Sequence, residues 1–229
     1  MVKDAVGAFE AGDYLRSEAA WRKAAKAYPS EPLSWANLAV ALVINASGEM
    51  TLGVEPSGRA RERLEEALAA TAEAEALGSV DAILLNTRGN ALGLLLRWRE
   101  AAEAYAGARE AAARDFESIP ASTEALARLE LGELPRAESI VRRILRRDPN
   151  FVDAKALLAT LRWLQEDKGG AANAIATLCQ GDNGPMWCGR YSTEDVVLGR
   201  WTPTAVRAYR QLLQEPSIAL ELRNGRAGI

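Results

Sequence analysis

The chain has 229 residues, 48% hydrophobic and 26% charged, with a net charge of -3; this balance excludes a disordered polymer and supplies the apolar surface for a sizeable core. So small a charge gathers no phosphates, which excludes nucleic acid as the expected partner, and the absence of histidine removes the commonest general base and metal ligand together with every Ser-His or Cys-His pair. No apolar run approaches the ~20 residues of a membrane span, and the N-terminus lacks a basic region followed by an apolar one.

Aromatic residues make up only 6% of the chain, while alanine, leucine, glutamate and arginine dominate, the usage of packed helices. In chain order, a small residue and a larger apolar one recur four positions apart: Ser17/Trp21, Ala60/Leu64, Ala101/Tyr105, Ala137/Val141 and Ala171/Ile175. A third small or apolar residue follows each at Ala24, Ala67, Ala108, Ile144 and Leu178. Pro29 and Pro149 fall twelve residues after Ser17 and Ala137. Ahead of these pairs stand Trp35, Leu38, Ala39 and Leu42 in one segment and Gly89 with Leu92 in another. Gly12-Asp13-Tyr14, Arg97-Trp98 and Gly132-Glu133 occupy the turns between.

These spacings are the signature of the tetratricopeptide repeat, a helical hairpin of ~34 residues with Trp-x2-Leu-Gly-x2-Tyr on its first helix, Ala-x3-Phe on its second and a closing proline. The expected fold is therefore all-α, an α-α superhelix of about five helical hairpins with a C-terminal capping helix. The repeats fall at about 1–30, 31–78, 80–115, 118–149 and 151–179, followed by a tail over 180–229. Small residues are expected where the two helices cross, so that Ala39 or Gly89 meets Ala60 or Ala101 without a bulky side chain between them. The competing reading is a generic bundle whose alanines are only helix formers; five pairs in order, two prolines and three turns argue against it.

The small residues Ser17, Ala60, Ala101, Ala137 and Ala171 are separated by 43, 41, 36 and 34 residues, so the N-terminal half carries insertions. The main one, Ala46 to Gly58, is rich in turn residues and reads as a loop, either functional or passive. Beyond the fifth repeat, Gln180 to Pro185 is a breaker-rich segment. Thr202 as N-cap and Pro203 at the first helical position then open a last helix near 202–214, with Ala205, Tyr209, Leu212 and Leu213 as its apolar stripe. Such a helix closes the exposed end of a repeat stack or binds a partner.

Cys179 and Cys188 are the only cysteines. Two thiols without histidine are too few for a metal site, which leaves a disulfide stapling the tail in an oxidising compartment or two buried thiols in a reducing one.

In tetratricopeptide proteins the second, fifth, ninth and twelfth positions of each repeat line a concave groove. Counting from Trp35 and Gly89 assigns Ala36, Val40, Val43, Asn86, Asn90, Gly93, Leu126, Leu129, Ala156, Thr160 and Trp163 to it. This set is mostly apolar and lacks the lysines and arginines that hold a terminal carboxylate, so an apolar or helical ligand, or an intramolecular filler, is expected there. Asn86 and Asn90 stand one turn apart and read either as paired amides for an extended peptide or as partners of neighbouring helix ends. Arg142, Arg143, Arg146 and Arg147 form a basic stripe, read as a solvated face or as a docking site for acidic loops or lipid head groups.

Tyr14 to Trp21, Trp35 to Leu38, Asn86 to Gly93, Arg147-Asp148-Pro149, Leu178-Cys179-Gln180 and Arg200 to Pro203 resemble a group of plastid-targeted tetratricopeptide proteins of plants and algae, which end in a similar cysteine-containing tail. The resemblance implies an assembly factor or accessory component of a photosystem or its antenna, in the thylakoid lumen or stroma, peripheral to the membrane. The alternative is a transient peptide-binding adaptor or assembly chaperone elsewhere, including the cytoplasm. Both are non-catalytic, need no cofactor and bind protein; carboxylates such as Glu65 and Glu130 lie in no catalytic motif.

Overall fold

Segments rich in alanine and leucine become helices, and the glycines and prolines between them become turns. The computed structural model describes the backbone of residues 1–113 and 116–227, and among these every regular element is helical. The chain divides into two compact units, Met1–Pro120 and Ala121–Ile229.

The N-terminal unit contains three hairpins: α1 (Val2–Glu10) with α2 (Tyr14–Ala27), α3 (Pro32–Gly48) with α4 (Gly58–Ala76), and α5 (Ala82–Leu94) with α6 (Trp98–Ala111). Trp21, Leu38, Ala39, Leu42, Leu64 and Ala67 form its core. Small residues mark the helix crossings: Ser17 is fully buried and its hydroxyl donates to the Ala5 carbonyl at 3.0 Å. In the third hairpin Gly89 also faces the ring of Tyr105, and a methyl at Gly89 would stand 2.9 Å from Tyr105 Cζ. The end of the third predicted repeat, residues 114–115, lies outside the described residues.

The insertion is shorter than its sequence suggests. Ala46 is fully buried in the core, and this packing carries α3 on to Gly48. The remaining loop, 49–57, is pinned at both ends. Glu49 accepts from Arg63 at 2.6 Å, and Arg61 donates to the Pro56 carbonyl at 3.1 Å.

The C-terminal unit contains two hairpins, α7 (Ser118–Glu130) with α8 (Leu134–Arg147) and α9 (Val152–Leu164) with α10 (Lys168–Leu178), followed by α11 (Gly184–Arg190), a 3-10 turn (Glu194–Val196), α12 (Pro203–Gln214) and α13 (Pro216–Ala227). The tail is not a separate body: Trp201, Val206, Tyr209 and Leu212 share one core with Leu126, Leu157, Ile175 and Leu178. Cys179 and Cys188 are joined in a disulfide, with Cα atoms 5.0 Å apart, which ties the end of α10 to α11. Helix α13 packs on α10 and α11. It passes the disulfide at Gly225, where a methyl would lie 2.9 Å from both Cβ and Sγ of Cys179.

Four hairpin turns share one backbone device. Gly12, Leu96, Gly132 and Glu166 all occupy the left-handed region, with φ of 75°, 60°, 73° and 62°. Glycine adopts this conformation without strain, whereas leucine and glutamate do so at a cost.

Candidate partner-binding site

The first helices of the repeats set the geometry of the candidate site, and the two units use them differently. In the C-terminal unit the face formed by α7 and α9 is occupied by the chain's own tail. Helix α12 packs on α9, and Glu130, the last residue of α7, receives the Thr204 backbone N–H at 2.6 Å and the Thr204 hydroxyl at 2.8 Å. An N-cap side chain ordinarily takes that bond. Thr202 holds the N-cap position but makes no cap bond, and its buried hydroxyl oxygen has no hydrogen-bond partner; Glu130 therefore does for α12 what its own cap residue does not. The Glu130 carboxylate also faces the positive end of the helix dipole.

A second acidic anchor holds the segment before α12. Asp153, near the start of α9, accepts from the Tyr191 hydroxyl at 3.0 Å, from Arg200 Nη2 at 2.9 Å and from the indole of Trp201 at 3.1 Å. Tyr209 donates to the Tyr191 carbonyl. Burial, aided by the adjacent Asp153 carboxylate, pushes the Tyr191 phenol up to about 12. Arg210 holds the Glu194 carboxyl below its ordinary range through a hydrogen bond, which links the 3-10 turn to α12.

These contacts revise the expected groove. Leu126 and Leu129 are 3% and 2% exposed and lie in the C-terminal core; Ala156 and Thr160 are fully buried. Val43 is 7% exposed and belongs to the N-terminal core. None of the five is open surface, because twelfth-position side chains turn inward and the tail covers α7 and α9. Trp163 is half-buried, with Lys168 Nζ 5.6 Å from its ring centroid. Helix α12 packs on α9, and α11 and α13 pack beside α10, so the tail covers the end of the last hairpin.

In the N-terminal unit the corresponding face remains open. Val2 and Val6 on α1 are 48% and 42% exposed, Leu33 on α3 is 60% exposed and Ile83 on α5 is 72% exposed. Val40 is half-buried, as are Asn86 and Asn90. Asn90 is held internally, since its side-chain oxygen accepts from the Tyr105 hydroxyl at 2.9 Å. Burial raises the Tyr105 phenol above its ordinary range, so at neutral pH it stays a donor.

The arginine stripe lies on the outward side of α8, opposite the buried Ala137, Ile140, Val141 and Ile144. Arg142 donates to Glu138 at 2.7 Å, Arg143 is half-buried, and Arg146 and Arg147 are exposed.

Sequence reasoning missed Val2, Val6, Leu33 and Ile83, because the residues assigned to the groove left out the first repeat and the second position of the next two. It also missed Glu130 and Asp153 as anchors. The available signal was a duplication: Glu10-Ala11-Gly12-Asp13 and Glu130-Leu131-Gly132-Glu133 stand at the same position of the first and fourth repeats.

No family model matches the chain, and no curated protein is significantly similar to it. Several solved structures share its fold. PilW, described as a widely conserved type IV pilus biogenesis factor, aligns with a TM-score of 0.60 at 17% identity over 95% of this chain and 94% of its own. PilF of Pseudomonas aeruginosa aligns with a TM-score of 0.58 at 20% identity over 100% of this chain and 96% of its own. YrrB, a TPR protein with an unusual peptide-binding site, aligns with a TM-score of 0.55 at 15% identity over 90% of this chain and 98% of its own. The fold is a tetratricopeptide-repeat fold. Identities this low establish the tetratricopeptide architecture and nothing about its ligand. No helix among the described residues is long and apolar enough to cross a membrane.

Proposed function

We propose that this tetratricopeptide chain is a non-catalytic scaffold that binds a protein partner through the first-helix face of its N-terminal unit. One observation carries the reading: Val2 and Val6 stay exposed at repeat positions whose counterparts on α7, Ser122 and Leu126, are buried, and Leu33 and Ile83 stay exposed where α9 carries Asp153, which holds the tail. An apolar patch built of regularly spaced residues on a rigid scaffold is the usual footing for a protein ligand. Solved TPR structures include one described by its peptide-binding site, in keeping with this use of the fold.

The finer reading, an accessory or assembly component of a plastid photosynthetic complex, rests on the short stretches of resemblance given above. The disulfide suits an oxidising compartment such as the thylakoid lumen. The proteins of similar fold give the plastid assignment no support, two of them being named for pilus functions. A transient adaptor or assembly chaperone uses the same face with shorter residence.

The test is co-purification from native extract with Val6→Glu/Leu33→Glu. Both residues are exposed, so the variant is expected to fold and to lose its partner. A folded variant that retains the partner contradicts the proposal. Persistence through stringent washing separates a stable subunit from an adaptor.

A further inference from the structure

We infer that the face of α1 and α3 receives an amphipathic helix of a protein partner, seated with its N-terminus on Glu10. This rests on the reading that the face binds a protein, and adds what it binds.

The N-terminal unit repeats the hairpin turn that holds α12. Gly12 and Gly132 have φ of 75° and 73°. The Gly12 and Gly132 N–H groups donate to Phe9 and Leu129 carbonyls at 3.0 and 2.9 Å, and the Asp13 and Glu133 N–H groups donate to Ala8 and Arg128 carbonyls, both at 2.9 Å. Backbones matched this closely launch the side chains of Glu10 and Glu130 from the same place on their hairpins. Glu130 spends its carboxylate on the first turn of α12. Glu10 is exposed, and no hydrogen bond to it is found among the described residues. An exposed carboxylate beside the apolar Val2 and Val6 complements a helix N-terminus, whose free N–H groups carry partial positive charge.

The differences between the faces define the ligand. Where α9 carries Asp153, α3 carries Leu33, and where α9 carries Thr160, α3 carries Val40. The three donors that Asp153 accepts, from Tyr191, Arg200 and Trp201, would find no acceptor at Leu33. The occupant therefore has apolar residues, not an Arg-Trp pair, just before its helix, a serine or threonine at the second helical position, and an apolar stripe below. A second copy of the tail is mismatched at Arg200, just ahead of its α12.

The probe is a fluorescent peptide of Leu-Leu followed by the sequence of residues 202–215, titrated into the full chain by anisotropy, with cross-links mapped by mass spectrometry. Saturable binding cross-linked to α1 and α3 is expected. Glu10→Lys and Glu10→Gln each weaken it about tenfold or more, the cost of a charge-assisted hydrogen bond. Valine at the peptide's second helical position weakens it against the native chain and makes little difference against Glu10→Gln. No binding, unchanged affinity with Glu10→Lys, cross-links on α7 and α9, or a chain that self-associates through α1 and excludes the peptide would each overturn the inference. Val6→Glu/Leu33→Glu separates the two levels: loss of the native partner there, with Glu10→Lys without effect, retains the scaffold and discards the helix-seating register.

Discussion

The first and fourth repeats are built alike, yet one ends in an open face and the other in a filled one. Both carry a glutamate that ties their hairpin to the next first helix: Glu18 accepts from Asn45 at 2.6 Å and from Arg22 at 3.0 Å, while Glu138 accepts from Gln165 at 2.9 Å and from Arg142 at 2.7 Å. The scaffold device is thus shared, and what differs is what lies on top of it. In the C-terminal unit, Asp153 and Glu130 convert the face into a receptor for the chain's own α12. In the N-terminal unit, Leu33 replaces the first of these anchors, and Glu10 is left without a helix to cap. A repeat surface is filled or left open according to a few residues at its rim, with no change in the hairpins beneath.

The largest effect that sharpens this comparison comes from the shared glutamates. Glu18 and Arg63 have side chains only 7% and 9% exposed, so Glu18→Ala leaves the buried Arg63 guanidinium with Glu49 alone and is expected to cost about 2 kcal/mol. At Glu138 the partners Arg142 and Arg162 are 48% and 24% exposed, and Glu138→Ala is expected to cost about 1 kcal/mol. Urea unfolding of both variants measures the difference; equal losses would show that burial does not set the strength of this device.

Smaller, and opposite in sign, is the effect at the turns. Glu166 is exposed in a conformation that the first and fourth hairpins give to glycine, so Glu166→Gly should stabilise the C-terminal unit by up to about 1 kcal/mol. A loss of stability in thermal unfolding would mean that the turn is unstrained.

Much of the fold was legible because crossings of paired helices demand small residues at fixed spacing, and Ser17, Ala60, Ala101, Ala137 and Ala171 announce them. The turns were legible only where glycine marks them. Leu96 and Glu166 adopt the same backbone without that residue, closed by the same pair of turn hydrogen bonds. Helix α13 escaped notice because it belongs to no repeat; it packs through Ile218 and Leu222 and passes the disulfide at Gly225. The candidate site was half legible. The apolar character of first-helix positions is plain in sequence, but an apolar position reads the same whether water, a partner or the chain's own tail covers it. Leu126 and Leu129 were therefore indistinguishable from Val6 and Leu33 until the path of α12 was known. Thr202 misled in a related way: its type and place suit an N-cap, whereas the acceptor comes from Glu130, more than seventy residues away in sequence.

Hydroxyl-radical footprinting of the native chain, read residue by residue by mass spectrometry, tests most directly whether one face is open and the other filled. Val6, Leu33 and Ile83 should oxidise readily, while Leu126, Leu129 and Trp201 are protected, and Glu130→Ala should raise labelling of Leu126 and Trp201 without altering that of Leu33. Equal labelling of Leu33 and Leu126 in the unmodified chain would contradict the account.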